Sequence, residues 1–134
     1  MRVLRAFVII GTSALGGTVF AADMSGAEIK AFLAGNTVYL ETTAASASGQ
    51  TGQSVIYWGT DGTALYKSPS GTIMHGTWEV KGNTNCAVWK ERPIMGCVHY
   101  DKTGDTVTVI DVASGQVRAK ILKTAPGNAE KLAP

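Results

Sequence analysis

From Asn36 onward the chain breaks into short runs of β-branched, aromatic and aliphatic residues, each closed by Gly, Pro, Asn, Asp or Ser. This punctuation limits the fold more than any other feature. The runs recur at intervals of roughly ten residues, too closely to leave room for the crossover helix that parallel strands need. Predicted strands cover 36–43, 54–58, 63–67, 72–80, 84–90, 94–101, 105–112 and 116–123. Asp61-Gly62, Pro69 with Gly71, Gly82-Asn83, Pro93, Gly104 and Gly115 mark the turns between them. The small-residue segment 44–53 reads as a mobile loop, and the tail 124–134 as irregular. Up-and-down strands leave two bare edges unless the sheet closes on itself. The expected fold is mainly β: an antiparallel meander of about eight strands forming a small barrel or strongly curved sheet. A two-sheet sandwich is the alternative.

One helix precedes the strands. Ser25 can cap it, and Glu28 stands three residues later, as a capping box requires. Ala27, Ile29, Phe32 and Leu33 supply an apolar stripe, and Gly35 is suited to end the helix. The helix is expected to cover one end or face of the sheet.

Ahead of the helix lies the pattern of a secretory leader. Arg2 and Arg5 form a positive start, an apolar stretch follows from Ala6, and Val19 and Ala21 suit the −3 and −1 positions of a cleavage site. Ala6 to Ala22, interrupted by Gly11, Gly16 and Gly17, is short for a membrane span of ~20 residues. The expectation is a signal peptide over 1–21 and a single domain over 22–134, its ordered core at about 25–123, located in the periplasm or secreted. Two of the 12 Lys and Arg, Arg2 and Arg5, fall in the leader, leaving ten bases against the 10 Asp and Glu. A neutral domain without clustered bases is not expected to bind nucleic acid or, once cleaved, a membrane. It is expected to be a monomer.

Two cysteines, Cys86 and Cys97, read as a disulfide in an exported domain. A hairpin centred on Glu91-Arg92 tests this. It pairs Lys90 with Pro93, Val88 with Met95, and Cys86 with Cys97, so the two sulfurs fall opposite each other on one face.

Gly35-Asn36-Thr37, Asp61-Gly62-Thr63, Gly76-Thr77-Trp78, Cys86-x-x-Trp89 with Cys97, and Gly127-Asn128 followed by Leu132 occur in that order. This order resembles a group of small secreted proteobacterial proteins of unknown function. It departs from their pattern at Ala129, where Pro is expected. The resemblance implies a periplasmic or secreted location and no particular activity.

No catalytic motif stands out. There is no Gly-x-Ser-x-Gly elbow and no phosphate-cradling glycine loop. Met95, Cys97 and His99 share a strand face, and with Met74 and His75 they sketch a soft copper site. Cys97 is spent in the disulfide, however, and Met74 and His75 point opposite ways. No metal site, cofactor or catalytic residue is therefore assigned. The aromatic residues are the more promising feature. Tyr57, Trp58, Trp78 and Trp89, with His99, are the candidate contacts for a small ligand or protein partner, since a barrel of this size has room for one small ligand. The expected function is an exported binding module, either a small-ligand carrier or an inhibitor of a secreted hydrolase. A small enzyme with a His/carboxylate site is the alternative.

Overall fold

The structure, a computed structural model, describes residues 21–134. All but the last residue of the expected leader lies outside the described residues. Nine strands and one helix follow in the order β1 (Ala22–Asp23), α1 (Gly26–Leu33), β2 (Asn36–Thr42), β3 (Gly52–Trp58), β4 (Thr63–Lys67), β5 (Ile73–Lys81), β6 (Thr84–Trp89), β7 (Arg92–Thr103), β8 (Thr106–Asp111) and β9 (Val117–Pro126). The eight strands from β2 to β9 pair antiparallel in sequence order, and β9 returns to pair with β2. The result is a closed up-and-down barrel, which removes the sheet edges. The two-residue β1 rides on β7 through Ala22 opposite Lys102 and Asp23 opposite Asp101.

Alternation along each strand sends one set of side chains inward. Val38, Leu40, Ile56, Trp58, Val98 and Val109 are buried there, while Glu41, Glu79 and Lys120 between such positions are exposed. The helix plugs one end. Ser25 Oγ accepts from the Glu28 N–H, and Glu28 Oε1 accepts from the Ser25 N–H, closing the expected capping box. Ile29 and Leu33 are wholly buried at that end. The Gly26 N–H donates to Asn83 Oδ1, and a Cβ at Gly26 would collide with the Gly82 carbonyl. The helix start is thereby locked to the β5–β6 turn. The opposite end is ringed by the connections 43–51, 68–72, 90–91 and 112–116.

One local reading is corrected and two are refined. Cys86 and Cys97 are bonded and directly opposite in register, with Cα atoms 4.0 Å apart. The hairpin turn is nevertheless Lys90-Glu91, with Trp89 facing Arg92, and the register slips between Ala87 and Trp89. Lys90–Pro93 and Val88–Met95 are thus not pairs. Pro93 has no N–H to give a ladder, and β7 bulges past it. Segment 43–51 is not left free. Ser46 N–H donates to the Thr43 carbonyl, Gly49 N–H to that of Ser46, and Ser48 Oγ lies 3.0 Å from Tyr66 Oη. The tail is irregular only from 127 to 134, and that stretch is tied to the barrel. β9 continues to Pro126, Thr37 Oγ1 donates to the Gly127 carbonyl and accepts from the Ala129 N–H, and Leu132 is buried.

Candidate functional site: the barrel cavity

Between the helix plug and the open end the inward side chains leave a cavity of about 190 Å³. Its size follows from the residues available. Large inward groups such as Trp58, Tyr66 and Trp89 alternate with Ala87, Gly96 and Ala119, which are too small to fill the space opposite them. Trp89 packs its ring 5.5 Å from Tyr66 and 6.3 Å from Trp58, so three aromatics brace one wall. Leu33 of the helix also lines the cavity, and Ser46 and Ala47 bring the 43–51 loop to its lining. The cavity is therefore apolar for most of its surface.

Its polar groups are few and specific. The most important is Arg118, which strand alternation alone would place outside. β9 carries a bulge here: Val109 faces Ala119 and Ile110 faces Val117, which leaves Arg118 as the extra residue. A bulge turns two successive side chains to one side, so both Arg118 and Ala119 line the cavity. The guanidinium lies over Gly96, where a Cβ would come within 2.9 Å of it. Arg118 Nη2 donates to Asp111 Oδ1 at 2.6 Å. Ser114 N–H and Oγ donate to the other oxygen of that carboxylate, at 2.8 and 2.7 Å. The Ser114 bonds first, and the Arg118 charge with them, hold the Asp111 carboxyl below its usual range. Arg92 reaches the same opening from the start of β7, against Gly49 of the loop. No acidic side chain lines the cavity among the described residues.

Two buried polar atoms on this lining have no partner. Asn85 is 1% exposed; its Nδ2 donates to Tyr100 Oη, and its Oδ1 has nothing to accept from. Arg118 Nε is a buried donor without an acceptor. A buried polar group left unpaired costs about 1–3 kcal/mol; among the described residues the one other such atom is Ser54 Oγ, which is not on this lining. Burial pushes the Tyr100 phenol up to about 12, so it is neutral at ordinary pH. Because Tyr100 accepts from Asn85, its own hydrogen is not used in that bond.

No family model matches this chain, and no similar protein is found among curated proteins or solved structures. The chemistry of the site must therefore be read from its own residues.

The aromatic candidates divide. Trp58 and Trp89 line the cavity. Trp78 stacks edge-on against Trp58 at 5.5 Å and donates its indole N–H to the Gly59 carbonyl, so it braces the wall from within the core. Tyr57, facing outward between Thr37 and Leu65, belongs to the outer wall, as does His99. The structure thus brings together Trp58, Trp78 and Trp89 but not Tyr57 or His99.

Both histidines meet carboxylates, though neither lines the cavity. His75 Nδ1, on β5, lies 2.7 Å from Glu91 Oε1 of the β6–β7 turn. His99 Nδ1 lies 2.8 Å from Asp23 Oδ1 and 3.6 Å from Asp101 Oδ1. The hydrogen bond between the two aspartates raises the carboxyl of Asp101 and, with His99, lowers that of Asp23. These three side chains lie close enough to hold an ion, but on an exposed outer wall where they also fasten β1 to β7. The imagined copper ligands are dispersed: Met74 is buried, His75 is paired with Glu91, and Cys97 is in the disulfide.

Sequence reasoning missed Asn85, Tyr66, Arg92 and Arg118. Asn85 was within reach of it. If Cys86 and Cys97 face outward as a pair, then Asn85, Ala87 and Trp89 must face inward together with Gly96, Val98 and Tyr100. Arg118 was not. In Val117-Arg118-Ala119-Lys120-Ile121 the two charges alternate with apolar residues and read as one solvent face; only the bulge separates them.

Proposed function

We propose that this protein is an exported carrier that holds one small molecule inside its barrel. The observation that carries the reading is the aromatic-walled cavity with unpartnered polar atoms on its lining, closed at one end by α1 and bordered at the other by the 43–51 loop. Small-molecule sites have this composition, an apolar enclosure with a few placed polar groups. At about 190 Å³ the cavity suits a molecule of roughly ten non-hydrogen atoms, somewhat more than the benzene that fills a cavity of about 150 Å³. Export is supported by the leader pattern before Ala22 and by the Cys86–Cys97 disulfide. No helix among the described residues is long and apolar enough to cross a membrane. The His/carboxylate groups of the alternative enzymatic reading, His75 with Glu91 and His99 with Asp23 and Asp101, lie outside the cavity lining.

Native mass spectrometry of the protein purified without denaturation tests the proposal. A carrier shows a population heavier than the bare chain by roughly 100–200 Da, the mass of about ten such atoms, which is lost on unfolding. A bare mass together with tryptophan fluorescence that is insensitive to any small apolar additive would refute it.

A further inference from the structure

The charge at the open end narrows the class of ligand. Two guanidinium groups, Arg118 and Arg92, border a cavity whose lining otherwise carries no charge. Arg118 is placed there by a β-bulge, fits over a glycine, and keeps a buried Nε free of any protein acceptor. Guanidinium groups present N–H donors in a planar fork that matches a carboxylate. The one carboxylate paired with Arg118 among the described residues, Asp111, engages only its Nη2 and spends its other oxygen on Ser114. Below the arginines the walls are Trp89, Tyr66, Leu40, Ile56 and Val98, which offer an apolar body its burial but no countercharge.

We infer that the ligand is a small monocarboxylate with an apolar alkyl or aryl body, its carboxylate on Arg118 and Arg92 and its body directed toward α1. The inference rests on the carrier reading, and it adds the sign and position of the ligand's charge. Asp111 competes with the ligand for Arg118, so neutralising Asp111 should tighten binding while neutralising Arg118 weakens it. A residue with a merely structural role would not produce opposite signs.

The experiment is a calorimetric titration of the disulfide-bonded protein with octanoate and octanamide, and with 3-phenylpropionate and 3-phenylpropanamide. Each pair matches in shape and differs in charge. The expected result is that at least one carboxylate binds about tenfold or more tightly than its amide, as a charge-assisted bidentate contact implies. The two pairs tell an alkyl body from an aryl one. Arg118→Gln is expected to bring carboxylate and amide within about threefold of each other, and Asp111→Asn to tighten the carboxylate alone. The wild-type pairs need no substitution, so a misfolded variant does not leave the question open. Equal binding of acid and amide would overturn the carboxylate assignment and leave a carrier of neutral molecules. Binding of none of the four would count against the carboxylate and the carrier together.

Discussion

At the residue scale, the molecule stores its cost in a few polar atoms. Asp111 shows how one carboxylate can serve two purposes. It turns the 112–116 connection through Ser114 and pairs with one nitrogen of the Arg118 guanidinium, which the bulge and Gly96 have already placed at the cavity lining. Its carboxyl is lowered from the usual 3.8, so the folded state binds its proton less readily than the unfolded chain does. The sign follows directly: this contribution is complete above the unfolded value and disappears as pH falls through the lower folded one. Chemical denaturation at pH 6 and at pH 3 is expected to show a drop in stability for the wild type that is smaller in Asp111→Asn. An equal drop in both proteins would assign the acid sensitivity elsewhere, with Glu91 and Asp61, also held low, the next carboxylates to test.

At the scale of elements, local chemistry sets each piece and tertiary contact decides its use. The helix has only eight residues, too few to be stable alone in water. Its capping box and the complete burial of Ile29 and Leu33 hold it across the barrel end. Ser25→Ala removes the acceptor for the Glu28 N–H and is expected to cost about 1 kcal/mol, seen as a lower denaturation midpoint with an unchanged slope. A loss well above this would mean that the plug, and not merely its cap, had come away. The β6–β7 hairpin is set by a different constraint. The disulfide fixes Cys86 against Cys97, the turn fixes Trp89 against Arg92, and the surplus residues of β7 bulge between them. That bulge leaves Met95 60% exposed beside the open end, and Val112 and Val117 of the neighbouring rim are exposed as well.

At the scale of the whole molecule, closure depends on β9. Two bulges, at Arg118 and at Leu122, bend it so that it pairs with β8 on one side and β2 on the other. The tail then crosses the seam, where it satisfies Thr37 and buries Leu132. Ending the chain after Pro126 is expected to lower stability by about 1.5–3 kcal/mol, the worth of burying one leucine, and to speed amide exchange in β2 before other strands. Unchanged exchange in β2 would show that the seam holds without its strap. The sequence by itself determined the helix with its cap, eight of the nine strands and most of their limits, the cysteine pairing and the preference for a meander curved into a barrel or sheet. These follow from periodicity, turn residues and hydrogen-bond geometry, all of which act over a few neighbours. Only the tertiary structure decided that the barrel keeps a cavity, that Tyr57 and His99 lie outside it, and that Arg118 lies within. Cavity volume depends on which small residues oppose which large ones around the ring, and a bulge is visible only in the register of two paired strands.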